Sequence, residues 1–157
     1  EDLRVKGTKI VLPSSPLQLD LEKKLRFCWF RSGRENPRVE EVKEVAADVI
    51  DLISEEGSWL GPENICIGGY SQGGMLATYL GVTLGTESVQ GVIALNASAL
   101  PCTVNTMSEA KRPRIVKFNG GAGSIVDPEY AKTSFADLGG DIVDIRYATA
   151  NVTHAIG

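Results

Sequence analysis

Histidine is almost missing from this chain. Among 157 residues there is one, His154. A histidine-based metal centre is therefore excluded, and three scattered cysteines offer no compensating ligand set. No metal or other cofactor is expected. Cys28, Cys66 and Cys102 are odd in number and widely spaced, which argues against a disulfide framework and for reduced thiols in a cytoplasmic setting. Positive charge is also short: 16 Lys and Arg against 20 Asp and Glu leave a net charge of −4. Such a balance does not suit a phosphate-backbone partner, so no nucleic-acid binding is expected. No apolar run reaches the roughly 18 residues of an integral membrane span, and no signal peptide is visible. Repeats, low-complexity tracts and linkers are lacking, so residues 1–157 are expected to form a single domain. The chain opens on Glu1 instead of Met, which suggests that its true start lies upstream. The triplets at Asn96 and Asn151 fit the glycosylation pattern and are read as incidental.

What is present is an alternation of strand-like and helix-like segments. "TKIVL" at 8–12 is β-branched and apolar, is stopped by Pro13, and predicts a buried strand. "PSSPLQLDLEKK" predicts a loop, and "RFCWF" at 26–30 either a strand or a packed loop. Asn36-Pro37 is a cap-then-proline helix start. Val42, Ala46, Val49, Ile50 and Ile53 then recur at helical spacing up to Gly57. "NICIGG", "VQGVIALNAS", "RPRIVKF" and "DIVDIRY" predict strands, and "QGGMLATYLGVTL" a helix. Asp127-Pro128 opens another helix, which runs to Leu138 and ends at Gly139-Gly140. The order predicts an α/β fold: a mostly parallel sheet with helices on both faces.

Gly69-Tyr70-Ser71-Gln72-Gly73 matches G-x-S-x-G between a predicted strand and a predicted helix, the context a nucleophile elbow requires. The glycines let neighbouring backbone pass close by. The hydroxyl of Ser71 then projects above the sheet, and the helix N-terminus favours negative charge developing there. The backbone N–H of Gln72 is a candidate oxyanion donor. A serine needs a base, and His154, downstream of the last predicted strand, is the one imidazole the chain has. Neither this glycine cluster nor "GGAGS" at 120–124 is followed by Lys-Ser/Thr, so a phosphate loop is excluded. Cys66, inside the elbow strand, is read as inert core.

At these residues the chain resembles the acyl-protein thioesterase and carboxylesterase group, the phospholipase/carboxylesterase α/β-hydrolases. "ICIGGYSQGGMLATYLG" resembles that group's elbow. "KIVLPSSP", "CWF", "VQGVIALNASALP" and "THAI" are similar to its other segments. The resemblance implies hydrolysis of carboxylic esters or thioesters through an acyl-serine intermediate. Its substrates would be acylated proteins or lipid esters. It implies Ser71 as nucleophile, His154 as base and the Gln72 N–H as oxyanion donor.

Three departures stand out. The group's opening strand, which ends in a His-Gly motif carrying a second oxyanion donor, has no counterpart here, so the elbow strand should lack a neighbour. The position of the triad acid aligns with Gly123; Asp127, four residues on, is the candidate acid and equally a helix cap. The group's closing helix is also missing, so apolar sheet surface should lie exposed, favouring self-association into homo-oligomers. A catalytically degenerate relative acting as a binding protein is the alternative. Trp29, Trp59, Phe118 and Phe135 are candidates for an acyl groove or for the core.

Overall fold

The computed structural model describes residues 7–21, 24–31, 37–105, 112–119, 127–139 and 142–146. β1 (Leu17–Leu21) and β2 (Lys24–Cys28) form an antiparallel hairpin, with Leu17 opposite Cys28 and Leu21 opposite Lys24. α1 (Val39–Gly57) follows, then a 3₁₀ turn (Pro62–Asn64), β3 (Cys66–Tyr70), α2 (Gln72–Leu84) and β4 (Gly91–Leu95). α3 (Pro101–Asn105), β5 (Arg114–Asn119), α4 (Pro128–Ala136) and β6 (Ile142–Arg146) complete the order.

β3, β4, β5 and β6 pair side by side, all parallel, in chain order. A parallel neighbour cannot be reached by a tight turn, so each connection crosses over the sheet and carries a helix. α2 has apolar residues on every side and is correspondingly buried, from Gly74 to Val82. It packs on β3 and β4, where Val92 and Ala94 face it at 1% and 0% exposure. Ile115, Phe135, Leu138, Phe30, Val42, Val45 and Ala46 join the same core. Lys117 of β5 is buried on that face and lies 5.0 Å from the ring centre of Phe135 in α4.

Alternation along β4 puts Ile93 and Leu95 on the opposite face. Register places Ile93 beside Val116, and Val116 beside Val143. Ile93, Leu95 and Val143 are all exposed, so this face carries apolar surface that no described helix covers.

The structure corrects four expectations. Residues 8–12 are not a buried strand: they form no ladder, and Ile10, Val11 and Leu12 are exposed. β-branched composition favours an extended chain, but a strand exists only when paired. Among the described residues no strand edge meets this segment. The predicted loop before "RFCWF" instead supplies β1 and the start of β2. α1 begins at Val39, two residues beyond Pro37, with Arg38 at the cap and no capping side chain; Asn36 lies outside the described residues. Cys66 is exposed, not core. Asn96 is 5% exposed, which agrees with reading its triplet as incidental; Asn151 lies outside the described residues.

Candidate active site

The elbow is built by close backbone approach. A Cβ at Gly69 would lie 2.2 Å from the Gly73 carbonyl carbon, so the end of β3 and the first turn of α2 touch main chain to main chain. Gly74 does the same one turn along. Its Cβ would lie 2.9 Å from the Gly69 oxygen and 2.8 Å from Ala97 Cβ. Between them Ser71 sits at φ 54°, ψ −121°, a region that L-residues avoid and that costs about 1–3 kcal/mol. The conformation is pinned from both sides. The Ser71 N–H donates to Leu95 O at 2.8 Å, and its carbonyl accepts from Met75 N–H at 3.0 Å.

Ser71 occupies the N-cap of α2, yet its hydroxyl makes no capping hydrogen bond. Capping needs an extended backbone at that residue, and the positive φ removes it. The hydroxyl is therefore not committed to the helix. The N–H groups of Gln72 and Gly73 stand in the first helical turn, where no intrahelical acceptor exists, and the helix dipole places partial positive charge there.

The Gln72 side chain is held away from this end. Its Oε1 accepts from Trp29 N–H and its Nε2 donates to Phe30 O, both at 3.0 Å. Sequence reasoning missed these contacts, because nothing in the spacing of residues 43 apart announces a pairing between a helix start and a loop.

An apolar cavity of about 470 Å³ runs along β3 between α1, α2 and residues 8–13. Gly69, Tyr70, Gly73 and Trp29 line its elbow end; Leu52, Ile53, Leu76 and Leu80 line its body. β3 is the outer strand of the four-stranded sheet. Among the described residues no strand pairs with its outer edge. Of the four aromatic candidates, only Trp29 lines the cavity. Phe135 is core, Trp59 is 69% exposed, and Phe118 is half-buried on β5.

Asp127 caps α4: its Oδ1 accepts from Tyr130 N–H at 2.8 Å. His154 and Gly123 lie outside the described residues. Ser71 and Gln72 are therefore brought together, Asp127 has a capping role, and the base has no described position. Cys66 also lines the cavity; surrounding protein raises its thiol pKa above the usual value by desolvation. Among the described residues no cluster of His, Cys, Asp and Glu could hold a metal ion, and no helix is long and apolar enough to cross a membrane.

Residues 2–135 match the phospholipase/carboxylesterase family. The chain belongs to that family. No curated protein sequence matches it. Among solved structures it is similar to a variant of SOBER1 from Arabidopsis thaliana, with a TM-score of 0.77 and 21% identity, over 94% of this chain and 76% of that one. It is also similar to acyl-protein thioesterase 2 from Zea mays, with a TM-score of 0.63 and 18% identity, over 83% of this chain and 67% of that one. Esterase PE8 is a third, with a TM-score of 0.65 and 20% identity, over 83% of this chain and 64% of that one. At these identities the likeness is one of fold: the α/β-hydrolase arrangement of a mostly parallel sheet with helices. The phospholipase/carboxylesterase chain spans about two thirds to three quarters of those structures.

Proposed function

We propose that this chain is a serine hydrolase that cleaves carboxylic esters or thioesters through an acyl-serine intermediate. The observation that carries the reading is Ser71 at φ 54° in a turn between β3 and α2, with its hydroxyl unused by the helix. A strained residue held by surrounding backbone is a recognised mark of a reacting group. Membership of the phospholipase/carboxylesterase family supports it.

Ser71 Oγ attacks the acyl carbon while His154 takes its proton, and the carbonyl oxygen gains the negative charge. The N–H of Gln72, at the positive end of α2, donates to that oxygen. The imidazolium returns its proton to the departing alcohol or thiol, leaving the acyl group on Ser71. Water, deprotonated by the same imidazole, then attacks the acyl carbon; the bond to Ser71 Oγ breaks, the imidazolium returns the proton to Oγ, and the carboxylic acid leaves. The apolar cavity beside the elbow suits an acyl chain, so acylated proteins or lipid esters are the proposed substrates. Three free cysteines accord with a cytoplasmic setting.

One observation favours a second reading, a catalytically degenerate relative acting as a binding protein: the candidate acid Asp127 has one carboxylate oxygen engaged by its own helix. A fluorophosphonate probe separates the two. Covalent label on Ser71, abolished in Ser71→Ala and strongly reduced in His154→Ala, supports the hydrolase. A folded sample that takes no label overturns it.

A further inference from the structure

Residues 29–31 leave β2 and run as irregular chain past the starts of α1 and α2. Irregular backbone near a core must find partners for its polar groups. Here side chains supply them at three successive residues. Gln72 Oε1 accepts from Trp29 N–H (3.0 Å), Gln72 Nε2 donates to Phe30 O (3.0 Å), and Glu41 Oε2 accepts from Arg31 N–H (2.9 Å). One amide thus holds two neighbouring residues much as an adjacent strand would. The β1–β2 hairpin is a two-stranded unit, which is marginal alone. Its end is fixed to the core by the wholly buried Phe30 and by this amide.

The clamp reaches the elbow twice. Gln72 is the first residue of α2 and carries the proposed oxyanion N–H. The indole nitrogen of Trp29 lies 3.4 Å from where a Cβ of Gly73 would stand, so the ring rests in contact over the first turn of α2. Trp29 and Gly73 both line the elbow end of the apolar cavity.

We propose that Gln72 is a positioning residue whose side-chain amide holds Trp29 as the wall at the elbow end of the cavity, and so sets which acyl chains are accepted. This deepens the hydrolase reading and rests on it for substrate selection; the clamp itself does not depend on activity.

The test uses Gln72→Glu and Gln72→Met in a Trp59→Phe background, which leaves Trp29 as the only tryptophan of the two. An ionised Glu keeps the acceptor for Trp29 N–H but has no donor for Phe30 O. A protonated Glu regains one, matching the amide's donor–acceptor pattern. Trp29 emission in Gln72→Glu should therefore differ from the parent at neutral pH. It should return toward the parent as the pH falls through the carboxyl range near about 4.3. Gln72→Met should differ throughout. The second readout is kcat/KM for p-nitrophenyl octanoate divided by that for the acetate. The ratio cancels any change in the oxyanion donor, which both esters feel. Loss of one to two hydrogen bonds should lower it about tenfold, mainly through KM for the octanoate. Trp29→Ala, with Gln72 intact, should shift the ratio in the same direction, and it serves if a Gln72 variant fails to fold. Emission identical to the parent in both Gln72 variants overturns the clamp. Altered emission with an unchanged ratio overturns its role in selection. A parent protein that hydrolyses neither ester overturns the hydrolase reading, and the selection claim with it, while the emission result stands separately.

Discussion

Gly69 and Gly73 touch through their main chains: a Cβ on Gly69 would stand 2.2 Å from the carbonyl carbon of Gly73 and 2.3 Å from its oxygen. Real Cβ atoms do not approach backbone so closely. Gly69→Ala must push the first turn of α2 away from β3, and α2 is the most enclosed helix of the core. Overpacking of this kind costs about 1–3 kcal/mol. For a domain of this size that is a fall in Tm of roughly 2–4 °C per kcal/mol. Calorimetry reads the loss, and fluorophosphonate labelling of the still-folded fraction should slow because the Ser71 turn has moved.

Ser71 offers the opposite experiment. Its φ of 54° is strained for serine and natural for glycine. Ser71→Gly should raise stability by about 1 kcal/mol or more while removing all label from the site. Ser71→Ala removes the label too but keeps the Cβ and hence the strain, so its Tm should stay near the parent value. A Ser71→Gly protein less stable than Ser71→Ala would show that the turn is not strained.

Much of this site was legible from residue order alone. Apolar runs bounded by turn residues locate β3, α2, β4 and β5 to within about three residues, because each carries a continuous stretch of apolar side chains. G-x-S-x-G marks the turn, and at Gly69 only glycine permits the approach distance. The errors share one cause, which is that pairing and packing decide what propensity leaves open. "TKIVL" has the composition of a strand but pairs with no strand among the described residues, and it lies exposed beside α1, where Lys9 pairs with Glu56. The polar stretch before "RFCWF" becomes a strand because it folds back on β2. Cys66 lies in an apolar run, yet it is exposed because β3 is an outer strand.

The exposure of Cys66 has a pH signature. Desolvation raises its thiol pKa above the usual value, so at neutral pH less thiolate is present than for a free cysteine. Only the thiolate is alkylated. The iodoacetamide rate at Cys66 should therefore keep rising to a higher pH than it does for a cysteine peptide. Peptide mapping should find Cys66 modified well before the buried Cys102, whose thiol is also raised by burial. Equal rates at the two positions would contradict the burial difference.

The apolar row Ile93–Val116–Val143 predicts dye binding. Ile93 and Val143 are 43% and 36% exposed and stand on either side of Val116 in one register of the sheet, and contiguous exposed apolar surface of this kind attracts partners. Ile93→Thr keeps a β-branched residue for the strand while adding a hydroxyl. It should lower anilinonaphthalene sulfonate fluorescence and reduce concentration-dependent association in sedimentation velocity, with little change in stability.

Asp127 separates two roles that one carboxylate can hold. Its Oδ1 accepts from Tyr130 N–H at 2.8 Å at the start of α4. That cap is worth about 1 kcal/mol, and Asn supplies it nearly as well as Asp. Asp127→Ala should therefore lower the unfolding free energy by about 1 kcal/mol, while Asp127→Asn should leave it almost unchanged. Asn keeps the cap but gives up the negative charge that would hold an imidazole in its working tautomer, a loss that lowers rates by about 10⁴ in the serine-protease precedent. The hydrogen bond to Tyr130 is satisfied by either side chain, so a protein in which Asp127 only caps should keep its labelling rate as Asp127→Asn and lose stability as Asp127→Ala. A rate lower by several orders of magnitude in a stably folded Asp127→Asn would make the second oxygen of this carboxylate the partner of His154.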